Sequence, residues 1–295
     1  MELELLKLIQ SVKTPLLDTV FQYITMMGEE VFIMLFASLV FWCVDRNTGY
    51  RMFFVYLTGA CLNEGLKQLF HTARPIGQPE LRSLRTETAP GFSFPSGHTQ
   101  GTTSLWATAM LRHGRAWMYI AGISAIVLVG YSRMYLGVHW PVDVVGGIVI
   151  GVVWALAADR IFSVIEKIKK RYILLTVFGT VCAAIFLISN ETSFKVAAVI
   201  LGFTIGYTIE SEYIKFDARA GLLTQILKIV TGFSGLLLIK FGLKALFPNA
   251  IVFDMLRYGL IALWVVAGAP FLFRKITTKI ISRENKKLLT FDAGE

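Results

Sequence analysis

The sequence predicts an all-α fold, a polytopic bundle of transmembrane helices. Three observations lead there. Of 295 residues, 55% are hydrophobic and only 17% charged, against about a quarter charged in soluble domains. Apolar windows near the length that spans a bilayer recur along the whole chain. The basic residues sit in short gaps between those windows: Arg46 and Arg51; Arg112 and Arg115; Arg160, Lys167, Lys169, Lys170 and Arg171; and Arg274, Lys275, Lys279, Arg283, Lys286 and Lys287. The net charge of +9 therefore does not point to nucleic acid. Such clusters mark cytoplasmic loops and contacts with anionic headgroups.

The elements follow in chain order. Residues 1–12 alternate leucines with charges and are expected to lie at the interface as an amphipathic helix. The start is acidic and has no cleavage-site pattern, so the first span is expected to serve as an uncleaved anchor. Apolar windows predict spans at about 14–28, 31–45, 50–70, 97–112, 116–135 and 140–161, then 172–189, 194–210, 222–246 and 254–273. The first is short and carries Asp18, so it is expected to cross incompletely. With basic gaps inside, the segments 71–96 and 132–140 face outward and both termini face the cytosol. Cys43, Cys61 and Cys182 are scattered, odd in number and without metal-ligand spacing, as buried free thiols would be. Gly147/Gly151 and Gly202/Gly206 permit close helix contact.

Three polar clusters stand at the outer edges of the first six spans. They are Lys67 with Arg74–Pro75; Pro95-Ser96-Gly97-His98; and Ser132-Arg133 with His139 and Asp143. Each has an ordinary explanation alone. Lys67 fits a snorkelling helix-end lysine. Arg133 and Asp143 fit a structural ion pair, and His98 fits a helix-start histidine. Their joint placement on one membrane face argues for function, because ionisable groups at membrane depth are costly. Three fixed cations beside a helix N-terminus, with Pro95 or Ser96 near its cap and free N–H groups in its first turn, form a site for a tetrahedral dianion, with phosphate the natural choice. His139 and Asp143 are four apart and share a face. Asp143 can fix the imidazole tautomer and leave the other nitrogen as a nucleophile. His98 can protonate the leaving oxygen. No cysteine or acidic cluster offers a metal site, so the cations must neutralise the charge.

Those residues resemble the type 2 phosphatidic acid phosphatase (PAP2) superfamily. Its pattern, Lys-x6-Arg-Pro, Pro-Ser-Gly-His and Ser-Arg-x5-His-x3-Asp, is matched without a gap over Lys67 to Arg74–Pro75, Pro95 to His98, and Ser132-Arg133 to His139 to Asp143. The resemblance covers about residues 14–162. It implies a six-helix phosphatase core, taken here as 1–165, followed by about four additional transmembrane helices over 166–295, whose role it does not reach. It implies His139 as nucleophile, Asp143 as its orienter, His98 as general acid, and Lys67, Arg74, Ser96, Gly97 and Arg133 as the phosphate grip. It further implies metal independence, no cofactor, and a site on the extracytoplasmic face of the cell membrane.

The expected substrate is a phosphorylated lipid, because the site lies at the bilayer edge; isoprenyl pyrophosphate, phosphatidylglycerophosphate and phosphatidic acid all fit. A water-soluble sugar phosphate is the lesser option. A non-hydrolytic phosphate-lipid binder or transporter would need neither the His139–Asp143 pair nor an acid opposite it. Membrane lipids are the expected surroundings, and a homo-oligomer stays open. Asn63 and Glu64, one turn before Lys67, are expected to satisfy buried polar groups rather than act chemically. Arg82 and Arg85 are placed either as a grip on a second phosphate or headgroup, or as solvated loop charges. The stretch Glu210–Arg219 is expected to be a solvated turn, and Lys195, Lys228 and Lys240 to snorkel or face the bundle.

Overall fold

The protein is described here by a computed structural model over residues 1–167 and 191–278. The expected span 172–189, Cys182, the basic run 169–171 and the tail beyond 278 lie outside the described residues. Among the described residues all regular structure is helical. Five helices are long and apolar enough to cross a membrane, and a bent pair makes a sixth candidate. The chain is thus a multi-pass membrane protein. It divides into two compact units, one of residues 1–37 and 51–164, the other of 38–50 and 165–295.

In the first unit, α1 is Glu2–Gln10, α2 Pro15–Met26, α3 the helix Glu30–Cys43 as far as Ala37, α4 Arg46–Phe70 from Arg51, α5 Gly97–His113, α6 Ala116–Tyr135 and α7 Pro141–Lys167 as far as Val164. Thr14 starts α2 by accepting the Leu17 amide on its side chain, with Pro15 in the first turn. The expected spans 14–28 and 31–45 are α2 and α3, and these form one pair bent by 52° at Met27–Glu29. Phe21 packs on Tyr131 and Tyr135 at the end of α6, with centroids 5.3 and 4.4 Å away. Further along, a Cβ on Gly28 would meet Val129 at 2.9 Å, one on Gly101 would meet Ile33 at 3.1 Å, and Phe36 packs with its ring tilted against Trp106, centroids 5.3 Å apart. The pair thus runs from the Tyr135 end of α6 along α5. Its two helices are long and apolar enough for a span only when taken together.

That geometry moves the N-terminus. Gln10 donates to the carbonyls of Arg82 and Tyr135 at 2.8 and 2.9 Å and accepts from the Arg82 amide at 3.1 Å. Lys7 pairs with Glu80 at 2.7 Å, and Glu2 accepts the Val142 amide at 3.0 Å. Helix α1 therefore lies at the end of the unit that carries the loop 71–96, not at the opposite end where a cytosolic N-terminus would sit. It is packed there, with Leu6, Ile9 and Gln10 buried, rather than lying free at the interface.

Helix α5 is polar but interior. Thr99, Gln100, Thr102, Thr103, Ser104 and Thr108 are all buried. Several hydroxyls are satisfied by helix carbonyls: Thr103 on Thr99, Thr108 on Ser104, and Ser104 on Gly151. Helix α7 comes close enough for this because Gly147 and Gly151 have no Cβ, which would meet the Ser96 carbonyl and the Gln100 carbonyl at 2.9 Å each. At the far end, Arg51 is 3% exposed and donates to Asp159 and Ser163 at 2.8 Å each. It ties α4 to α7 instead of reaching a headgroup.

In the second unit, α8 is Glu191–Ile209 with a π turn at Glu210–Ile214, and α9 is Leu222–Leu237, running on through a π turn at Leu238–Gly242 to Leu246. Helix α10, Ile251–Leu263, carries a third π turn at Trp264–Gly268. Gly202 and Gly259 let α8 and α10 touch backbone to backbone. The connection after α8 is not simply solvated. Glu210 is fully buried and receives the Tyr50 hydroxyl, Arg46 and the Phe216 amide. Lys228 faces inward onto the carbonyls of Asp217 and Ala218, while Lys195 pairs with Asp254. Cys43 and Cys61 are half-buried, and the Cys61 thiol donates to the Leu57 carbonyl.

Candidate active site

The site is assembled where α4, α5, α6 and α7 reach the loop 71–96. The start of α7 sets it up. Trp140 precedes Pro141, and Asp143, in the first turn, reaches back to accept the Trp140 amide at 2.7 Å. This is the reciprocal half of a capping box. The same oxygen of Asp143 lies 3.3 Å from Nδ1 of His139 and accepts the Ser93 hydroxyl. His139 and Asp143 are 2% and 0% exposed. Gly137, just before, needs its positive φ of 67° and its missing side chain, since a Cβ would stand 2.4 Å from the Arg82 carbonyl.

Arg74 lies across from this pair. Its guanidinium is held by the carbonyls of Pro90, Gly91, Phe92 and Val138 at 2.8 to 3.1 Å, and one nitrogen stands 3.0 Å from Nε2 of His139. Guanidinium only donates, so Nε2 accepts and the ring proton belongs on Nδ1, facing Asp143. Burial holds the His139 imidazolium well below its ordinary range, and Arg133, Arg74 and Lys67 push the same way. The ring is therefore neutral at physiological pH, with its lone pair on Nε2. Burial also brings the Arg74 guanidinium down to about 10, still protonated at neutral pH.

Arg133 is fully buried and donates to the hydroxyls of Thr25 and Thr88 at 2.9 and 3.3 Å. Its Nε is buried without a partner. Lys67 is half-buried, and Arg74, Arg133 and Asp143 all act on it electrostatically. Ser96 precedes α5, gives its amides no side-chain cap, and anchors that helix by donating its own amide to the Asp143 carbonyl at 3.0 Å. The first N–H groups, at Gly97 and His98, are left for another acceptor. Nε2 of His98 is buried without a partner. Arg133, His139, Lys67 and Arg74 all lie within electrostatic reach of it. The structure thus brings Lys67, Arg74, Ser96, Gly97, His98, Arg133, His139 and Asp143 to one place. The unpartnered Nε of Arg133 is a donor that suits an anion, while the Oδ1 of Asp143 is also buried without a partner.

Several neighbours are not evident from the motif residues. Ser93 acts on Asp143, Thr25 and Thr88 hold Arg133, and Gly28 backs His98, where a Cβ would meet the ring's Cδ2 at 3.2 Å. Asn63 donates to Gln100 and to the Pro95 carbonyl and so satisfies buried polar groups as expected, whereas Glu64 accepts from Gln68 in an exposed contact along its own helix. Neither Arg82, which is 39% exposed, nor Arg85 is free. They are closed onto Asp18 and Glu29. Among the described residues, no three His, Cys, Asp or Glu side chains are grouped to hold a metal.

Two family models match the chain. The PAP2 superfamily model covers residues 49–167, and the model of a transmembrane extension of PAP2 superfamily phosphatases covers 194–282. An undecaprenyl-diphosphatase of Sulfolobus acidocaldarius is 33% identical over 149 residues, 50% of this chain and 72% of that protein. Phosphatidylglycerophosphatase B of Bacillus subtilis is 31% identical over 173 residues, 54% of this chain and 80% of its own. The crystal structure of Aquifex aeolicus LpxE aligns with a TM-score of 0.49 and 26% identity, over 54% of this chain and 94% of the other.

Proposed function

Since the chain belongs to the PAP2 superfamily and is a membrane phosphatase, we propose that it hydrolyses the phosphate ester of a lipid through a phosphohistidine on His139. The observation that carries this reading is the placement of His139, its Nε2 facing Arg74 and its Nδ1 facing Asp143, beside the Nε of Arg133 and the Nε2 of His98, both buried without a partner. The phosphoryl group enters between Nε2 and Arg74, whose guanidinium turns from the ring to a phosphate oxygen. Lys67, Arg133 and the amides of Gly97 and His98 take the remaining oxygens. Nε2 forms a bond to phosphorus as the bond to the ester oxygen breaks. His98 gives that oxygen its proton, then takes one from the water that cleaves the phosphohistidine and releases inorganic phosphate. Lipids named for similar proteins, an isoprenyl diphosphate and phosphatidylglycerophosphate, set the panel to test.

Phosphate release from such lipids is expected to persist in EDTA and to be blocked by micromolar vanadate, which adopts the five-coordinate geometry of the transferring group. Loss of turnover on chelation, restored by Mg²⁺, would sink the metal-free mechanism.

We further propose that the site faces away from the cytosol. Gln78 is exposed in the loop 71–96, and Arg115 is exposed at the opposite end of α5 and α6. In a background without native cysteines, Gln78→Cys is expected to react with an impermeant maleimide in intact cells. Arg115→Cys is expected to react only after permeabilisation. The reverse pattern would put the site in the cytosol.

A further inference from the structure

More cations surround the phosphate cradle than face it. Arg82 and Arg85 belong to the same loop as Arg74, yet each is closed onto a carboxylate of the N-terminal helices. The second of these pairs adjoins the cradle. Arg85 begins the turn whose Thr88 holds Arg133, and the Thr88 amide and hydroxyl both return to the Arg85 carbonyl, at 3.1 and 2.9 Å. Glu29 directly follows Gly28, whose backbone packs on the ring of His98. The pair is therefore joined through Thr88 to Arg133, and along the chain to the Gly28 that backs His98. Its side chains are only 21% and 24% exposed, and the Arg85 Nε is buried without a partner. Both charges act electrostatically on Arg133. Glu29 precedes the matched family segment, which begins at residue 49.

We infer that the Glu29–Arg85 pair is a specificity determinant that favours phosphate monoesters over diphosphates. The inference rests on the phosphatase reading above. With the pair closed, Lys67, Arg74 and Arg133 face the transferring phosphoryl group. The leaving group of a monoester is an alcohol, neutral once His98 has protonated it. The leaving group of a diphosphate is itself a phosphate monoester, which carries negative charge to the His98 side and toward Glu29. Glu29 already neutralises the Arg85 guanidinium, so the pair offers that charge no net cation, and a guanidinium drawn away to it would leave a largely buried carboxylate beside the new anion. Glu29 is thus the repulsive element by which one substrate class is refused.

The test compares kcat/KM of the purified full-length protein for farnesyl monophosphate and farnesyl diphosphate, which share one chain. The wild type is expected to prefer the monophosphate. Glu29→Gln frees a cation and is expected to move the ratio toward the diphosphate by about tenfold or more, since like charges brought together are strongly penalised. Arg85→Gln leaves Glu29 unopposed and is expected to move the ratio the other way, while Arg85→Lys keeps it near wild type. The two glutamine variants read the pair independently, so a shift in the stated direction in whichever stays folded supports the inference. A wild type that prefers the diphosphate, or a ratio unmoved by either variant, overturns it. Failure of the wild type to hydrolyse either ester is a separate outcome that removes the phosphatase reading itself.

Discussion

Replacing His139 by alanine removes turnover of every phosphate ester, by at least about 10⁴-fold, and leaves no phosphoenzyme. The expectation comes from what no other group at the site can supply. Nε2 of His139 accepts a hydrogen bond from Arg74, so its lone pair is directed into the cation cluster. The other site residues either donate or are committed. Lys67, Arg74 and Arg133 are cations, and Asp143 is tied through Oδ2 to Ser93, the Trp140 amide and the ring of His139, although its Oδ1 is buried without a partner. A water attacking directly would lose the positioning that a ring fixed on two sides provides. The pH profile carries the same assignment. Burial and three neighbouring cations lower the His139 pKa, so the neutral, nucleophilic form persists as pH falls through the ordinary imidazole value of about 6.5. Once corrected for ionisation of the substrate, kcat/KM is expected to hold through that pH and fall only below it. A phosphoenzyme trapped on the His139→Ala protein by acid quench would assign the nucleophile elsewhere.

The motif residues were legible because their chemistry is unusual for where they occur. A lysine, two arginines, two histidines and a carboxylate at the edges of apolar spans each have an ordinary explanation alone but few together, and the four-residue spacing from His139 to Asp143 already put that pair on one face. The supporting residues carried no such mark. Ser93, Thr25 and Thr88 are common types in connections and helices, and only the folded chain reveals that each meets a catalytic-site partner. Gly28 was equally silent, since its importance is the closeness of His98, 69 residues past Glu29 in the chain. Hydropathy marked α2 and α3 as apolar but could not count crossings there. Two short windows around a break look alike whether the chain turns back or bends by 52° and continues. That one ambiguity displaced the N-terminus to the wrong end. Charge counting failed for a related reason. Arg51, Arg82, Arg85 and Glu210 look like headgroup or solvent contacts in the sequence, yet each finds an opposite charge inside its own unit. Pairing of that kind depends on contacts between residues 56 to 164 positions apart.

Replacing His98 by alanine should cost activity in proportion to how poor the leaving group is. His98 opens α5 directly after the uncapped Ser96, and its Nε2 is buried without a partner while four groups of the site lie within electrostatic reach. A ring held against Gly28 with a free nitrogen facing an anion site is placed to give a proton to the departing oxygen. A lipid alkoxide cannot leave without that proton, so lipid phosphate hydrolysis is expected to fall by about 10²–10⁴-fold. p-Nitrophenolate leaves unaided, so the same variant is expected to lose much less on p-nitrophenyl phosphate and still to form the phosphoenzyme from it. Formation and breakdown then separate. The water that cleaves the phosphohistidine also lacks its base in this variant, so the phosphoenzyme is expected to accumulate during turnover of the activated ester, where the wild type shows little. Thermal melting in detergent checks that α5 remains seated, because Gly28 packs on the ring that alanine removes. If a folded His98→Ala protein loses activity equally on both esters, His98 acts in binding or packing rather than as the acid. If it accumulates no phosphoenzyme, breakdown does not depend on His98, and the second half of the mechanism needs another base.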